Sequence, residues 1–329
     1  MIPAPRVPGL TTPTPRAQDE DDEVSRLVPG PLPPRDYTSV PSAGTDDRTA
    51  PTPSAVVPSP RSTRPAVDWP SGIVRDGNGD DLDAERHRPA DVLVVPLDGT
   101  SWRSLTAASA LTPVRSGKAR LVLTTPLLPT AGASLQDCAS GEYRTRWREF
   151  AAVLRSLPNA PIVDLGTGMN REGTPWSGDP RTYAQCWSEV ARTVKATAPN
   201  VVFQWTPALG SQPGMPGESV LAAWPEHDLV DIVGVDATAD GRPWAEQVNG
   251  AYGLNYWAAF ADDRGRRVAV ARWGVHPGAT PDRAVNAAYI RNVHDWVARV
   301  AAKDALAYEA YTEPADVPPA MAEAYRALF

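Results

Sequence analysis

The feature that most constrains this chain is an alternation confined to residues 67–329. Short apolar runs rich in β-branched residues take turns with amphipathic stretches of helical period. Eight runs read as strands: Gly72–Arg75, Asp91–Leu97, Arg120–Thr125, Pro161–Gly166, Val201–Trp205, Val230–Val235, Val268–Arg272 and Leu306–Tyr311. The first is the weakest. The others are short and almost wholly apolar, as strands buried on both faces must be. Between them, Tyr143, Trp147, Phe150 and Leu154 recur on one face of a helix over 143–157. Tyr183, Trp187, Val190 and Val194 do the same over 180–198. Asp179-Pro180 and Thr280-Pro281 read as an N-cap followed by proline at the first helical position, and Gly265 as a helix terminator. This pattern predicts an α/β fold, a (β/α)8 TIM barrel. A dinucleotide-binding sheet would need a G-x-G-x-x-G turn after an early strand. The turn after the first strand, DGNGDD, has another spacing and is acidic.

Residues 1–66 differ in kind. Of 36 prolines, 15 lie in residues 1–65, whereas all 11 tryptophans lie at or after Trp69 and Tyr37 is the single aromatic before it. Such a segment cannot bury enough apolar area to offset chain entropy. It reads as a Pro-rich extended arm or linker, with two open alternatives: a disordered tether, or an arm that becomes ordered along a partner. In polyproline conformation it would reach up to ~200 Å.

The formal net charge of −7 argues against nucleic acid as a partner. The start, MIPAPRVPGL, has no apolar core of a secretory signal, and no run has the ~18 apolar residues of a membrane span. The four histidines are scattered without metal-ligand spacing, so neither metal nor cofactor is expected. Cys138, in a predicted loop, and Cys186, on a predicted helix, are the only cysteines. Two so far apart specify no framework, and Cys186 reads as a buried free thiol.

Several segments carry a family resemblance: YRTRWREFAAVL, IVDLGTGMNREGTPW, FQWTP, WPEHDLVDIVGVD and VAVARWG. Together, over about residues 90–329, they resemble glycoside hydrolase family 26, the β-mannanase-like barrels. In that family strand four ends in Glu, an aromatic or Met, then Asn; strand seven ends in Glu, an aromatic, then Gly. Met169 and Asn170 match the first pattern, and Trp273 and Gly274 the second. The resemblance implies that the two catalytic glutamates would fall at Gly168 and Arg272, where neither is Glu. Retaining glycosidases hold two carboxyl groups about 5 Å apart, one donating a proton and one attacking the anomeric carbon. Glycine can do neither, and arginine is a permanent cation without acceptor capacity. Arg272 is expected to pair with Asp236, Glu309 or Glu172. The rival reading makes Glu172 a displaced acid with Asp236 or Glu309 as its partner.

The resemblance also implies a cleft shaped for β-linked polysaccharide. Trp176, Trp205, Trp273 and Trp102 are candidate sugar platforms, and Asn170 a candidate hydroxyl partner. For Trp205 and Trp273 packing is the alternative role. The expected function is a non-catalytic glycosidase-like barrel in an extracellular assembly. Its Pro-rich arm gives it the look of a minor tail protein of a phage infecting actinobacteria, located in the virion or extracellularly. The expected partners are other virion tail proteins, through 1–66, and host envelope glycan. Two alternatives stay open: an active glycosidase on a β-linked polysaccharide with displaced carboxylates, and a free carbohydrate-binding bacterial pseudoenzyme.

Overall fold

The computed structural model describes residues 67–75, 86, 89–106, 118–239, 241–275, 283–312 and 319–329. The 1–66 arm and the Thr280-Pro281 cap lie outside them. Eight strands form one closed, all-parallel barrel in chain order. They are β1 (Ser71–Val74), β2 (Val92–Pro96), β3 (Arg120–Thr125), β4 (Ile162–Leu165), β5 (Val202–Trp205), β6 (Ile232–Ala239), β7 (Arg267–Val275) and β8 (Leu306–Tyr311). The helices are α1 (Trp102–Leu105), α2 (Leu135–Ser140), α3 (Arg144–Arg155), α4 (Pro180–Thr197), α5 (Trp244–Asn249), α6 (Leu254–Asp263), α7 (Arg283–Ala301) and α8 (Pro319–Leu328). The (β/α)8 architecture expected from the alternation is the one observed.

Period-two alternation sorts the strand residues into two layers. Val74, Val92, Val94, Val122, Ile162, Ile232, Ala269, Tyr308 and Ala310 form one buried cluster, with Val202 of β5 packed against it, so every strand but β7 gives it a β-branched or aromatic side chain. On the other side of β4 and β5 stand Leu165 and Trp205, against α4 and α6. Trp187 Nε1 donates to Leu165 O at 3.0 Å and the Tyr183 hydroxyl to Gly166 O at 3.1 Å, so the apolar stripe of α4 is also hydrogen-bonded to the end of β4.

The weak first strand is real because closure demands it. β1 pairs with β2 on one side and β8 on the other, and all four of its residues are buried. A Cβ at Gly72 would collide with the Val92 backbone, so the bare backbone is what fits there. Arg86 secures the seam from behind. Its guanidinium donates to Gly72 O (3.1 Å), Ser71 Oγ (2.6 Å) and the Tyr325 hydroxyl of α8 (2.9 Å) while only 7% exposed.

Local signals act where the sequence placed them. Asp179 caps α4, accepting from Thr182 N at 2.7 Å, with Pro180 as the first helical residue. Gly265, at φ 62°, ends α6 with paired bonds from Gly265 N to Asp262 O and Arg266 N to Ala261 O. That is the double bond of a Schellman stop, and it requires the left-handed residue.

The cysteine expectation is overturned. Cys138 lies on helix α2, not in a loop, and forms a disulfide with Cys186 of α4 across 48 residues, with Cα atoms 5.0 Å apart. Both are buried. Distance along the chain hid the pairing, because the β3–α3 connection and the start of α4 meet only once the barrel has formed. Loop-closure entropy assigns a cross-link of this span about 4 kcal/mol. The Cys138→Ser/Cys186→Ser double variant should therefore unfold at clearly lower denaturant, and reductant should move the wild type toward it. Coincident midpoints for all three would show that the cross-link contributes nothing.

Candidate functional site

A column of polar groups crosses the barrel interior. The Tyr308 hydroxyl donates to Gln204 Oε1 (2.9 Å), Gln204 Nε2 to Thr206 Oγ1 (3.0 Å), and Thr206 Oγ1 to Asp164 Oδ1 (2.6 Å). Gly234 makes room for it, since a Cβ there would overlap Thr206 and Gln204. Asp164 is 2% exposed. Burial, offset in part by the Thr206 bond and reinforced by the nearby Asp236 charge, pushes its carboxyl up to about 7.

Asp236 comes to the mouth by a β-bulge. The β6–β7 register slips after the Val235–Val270 pair, so that Asp236 stands beside Arg272 and Ala271 is the extra residue. The cation on Asp236 is nevertheless Arg171, whose Nη2 lies 3.1 Å from Oδ2; Thr238 Oγ1 donates to Oδ1 at 2.9 Å. Arg272, half-buried on β7, is thus a strand neighbour of Asp236 and not its ion-pair partner.

Arg171 also covers Gly168. Gly168 is buried just past β4 at φ 68°, its N–H donating to Thr206 O at 2.8 Å. A Cβ on it would touch the Arg171 stem at 3.6 Å. Asn170, next in the same turn, is 1% exposed and spent on the backbone. Its Nδ2 donates to Ala208 O (2.9 Å) and its Oδ1 accepts from Ala208 N (2.7 Å). Leu209 N then donates to Asp236 O at 3.0 Å and Gly210 N to Tyr252 O at 2.8 Å. The loops after β4, β5 and β6 are thereby sewn into one unit, and Asn170, 1% exposed, is directed at the backbone of the loop after β5 and away from solvent.

The other candidates separate by burial. Trp205 and Trp273 are 0% exposed. Trp205 donates to Ala223 O at 3.1 Å and packs on Trp224, Trp257 and Phe260. Trp273 donates to Glu309 Oε2 at 2.6 Å and packs on Tyr311, Tyr325 and Phe329. Both fill the layer between strands and helices, so neither offers a face to a ligand. Glu309, fully buried between the interior residues Tyr308 and Ala310, faces that same outer layer by alternation. It does not join Asp236. Glu172 is exposed in the loop after β4.

Trp176 and Trp102 keep accessible surface. Trp176 is half-buried, tethered by Nε1 to Thr167 O at 3.3 Å, and no aromatic ring packs on it among the described residues. Trp102, on the short α1 held by a Ser101–Ser104 capping box, is half-buried against Tyr143 and Trp147. Among the described residues no cluster of three or more His, Cys, Asp or Glu could hold a metal, and no helix is long and apolar enough to cross a membrane.

The sequence reading missed Asp164, Arg171 and Thr206. One signal was present: a lone carboxylate inside the apolar run IVDL must be partnered or protonated if that strand is buried. Because Asp164 is raised from 3.8 to about 7, the folded state holds a proton that the unfolded chain releases between those values. Stability should therefore fall as pH rises from about 4 to 7 and level off above it. Asp164→Asn, which keeps the acceptor for Thr206, should flatten that slope in pH-resolved denaturant titrations. An unchanged slope would mean that Asp164 is ionised throughout.

No family model matches the sequence, and no curated protein matches it. Solved structures do. GH26C from Muricauda sp. superposes with a TM-score of 0.59 at 14% identity, covering 79% of this chain and 84% of that one. The modular endo-β-1,4-mannanase of glycoside hydrolase family 26 from Cellulomonas fimi gives 0.60 at 15% identity, over 79% and 70%. The catalytic domain of the GH26 endo-β-1,4-mannanase from Bacillus sp. JAMB-750 gives 0.54 at 12%, over 79% and 85%. At such identities the likeness concerns backbone alone: the chain has the eight-stranded barrel fold of the family 26 glycoside hydrolases.

Proposed function

We propose that this chain is a non-catalytic glycosidase-like barrel that contacts envelope glycan from within an extracellular assembly, with a phage tail as that assembly. The carrying observation is the Gly168–Arg171–Asp236 arrangement. Where the resemblance puts the proton donor, the backbone is left-handed, a conformation costing an L-residue ~1–2 kcal/mol. The Arg171 stem lies against that position and its head neutralises Asp236. Where the resemblance puts the nucleophile stands Arg272, which would repel a developing oxocarbenium ion. Of the displaced carboxylates, Glu172 is exposed in its loop, Glu309 is buried behind β8 on Trp273, and Asp236 is paired with Arg171. Losing a general acid alone forfeits ~10²–10⁴-fold in rate.

Glycan contact then falls to Trp176 and Trp102, the accessible aromatics of the loops after β4 and β2. The disulfide supports an oxidising, extracytoplasmic setting. The tail assignment and the partnership with other tail proteins rest on the composition of residues 1–66.

One observation favours an active hydrolase instead. Asp164, still protonated near neutrality beside a second carboxylate, has the electrostatics of an acid in an acid–base pair. A single assay separates the readings: reducing-end release from β-mannan and actinobacterial cell-wall glycan by the wild type, Glu172→Gln and Asp164→Asn. The expected result is no release by any of them, under conditions in which a family 26 mannanase is active. Release by the wild type that disappears in either variant would make the protein a hydrolase.

A further inference from the structure

We propose that Tyr252, Tyr256 and Glu218 form a second sugar subsite on the barrel rim, built for a neutral hexopyranose unit of a glycan chain. The inference rests on the glycan-contact reading above and adds a place and a chemistry to it. Tyr252 precedes α6, Tyr256 lies in its first turn, and Glu218 lies on the 3-10 segment Gly217–Ala223 after β5. Tyr252 has φ 55° and, with Asp304, is one of two non-glycine residues at positive φ among those described. For a bulky side chain that backbone costs ~1–2 kcal/mol, and strain of this kind gathers at binding sites. The Gly210 N–H bond to its carbonyl, 2.8 Å, holds it there. This bond also continues the chain of contacts running from Asn170 through Ala208 and Leu209, so the rim is tied to the mouth.

So held, the Tyr252 ring meets the Tyr256 ring edge-on at 4.9 Å, and both are half-buried. Among the described residues neither phenolic oxygen has a hydrogen-bond partner, and the exposed Glu218 carboxylate has no ion pair. Burial and then the neighbouring phenol push Tyr256 up to about 12, and burial followed by the Glu218 charge raises Tyr252. Both phenols therefore remain donors at neutral pH. The surface that the two rings keep beyond their contacts with Trp257 and Phe260, together with two phenolic donors and one carboxylate acceptor, matches a pyranose, which offers an apolar C–H face and a rim of hydroxyls. A wholly apolar partner would leave the carboxylate desolvated.

The test is calorimetric titration of the full chain with soluble β-mannan and with a solubilised actinobacterial cell-wall polysaccharide, using Tyr256→Ala, Tyr252→Gly, Glu218→Gln and Trp176→Ala. Glycine adopts the left-handed backbone freely, which offsets part of the packing lost with the ring, so binding lost in a Tyr252→Gly variant that still unfolds cooperatively reports the ring. The expected result is about tenfold weaker binding in each tyrosine variant and a smaller loss in Glu218→Gln. Wild-type affinity in all three, with loss in Trp176→Ala alone, would overturn the rim subsite while leaving glycan contact at the mouth. Absence of wild-type binding to both glycans would overturn the subsite and the glycan reading together.

Discussion

Everything in this molecule depends on the β1–β8 seam. A parallel strand leaves both of its edges asking for partners, and only closure satisfies all eight strands at once. The closing strand is four residues long and holds little apolar surface of its own. Its place is fixed by pairing on both sides, by a glycine that lets the Val92 backbone approach, and by the buried Arg86 guanidinium joining it to α8. A closed barrel in turn gives the loops after the strands one shared end to occupy, and the candidate site is made of those loops.

At that end hydrogen bonding counts for more than shape. Asn170 holds the loop after β5 through two backbone bonds, and Arg171 holds the second half of β6 through Asp236. Beneath them the column from Tyr308 to Asp164 carries polarity into an interior that is otherwise aliphatic. A barrel mouth built this way spends its side chains on its own backbone and charges. Four aromatics of that end, Trp176, Trp102 and the rim tyrosines, are half-buried and keep accessible surface beside exposed polar residues such as Glu172 and Glu218.

Much of the fold was legible because its signals are local. The α4 stripe Tyr183, Trp187, Val190 and Val194 is buried as its spacing requires, and Asp179 and Gly265 bound their helices as their residue types dictate. Strands β6 and β7 run past their apolar stretches to Ala239 and Val275, because the extension is held by pairing across the bulge, through residues such as Asp236 and Arg272 that carry no apolar signal. The site was legible in location and less so in content. Gln204 and Thr206 face inward, so Trp205 between them must face out; alternation alone could have removed it from the sugar-contact candidates.

By itself the sequence determined the barrel: eight apolar runs, their helices, and the positions along the chain where the loops of the mouth would lie. Period and residue type suffice for this, since each element reads its own few residues. Only the tertiary structure decided which groups meet. It joined Cys138 to Cys186 across 48 residues, gave Asp236 to Arg171, turned Glu309 toward Trp273 and brought Tyr252 and Tyr256 near Glu218. The physical reason is common to all four. Pair interactions act over a few ångströms, and separation in space is set by strand register and closure, which no local window of sequence contains.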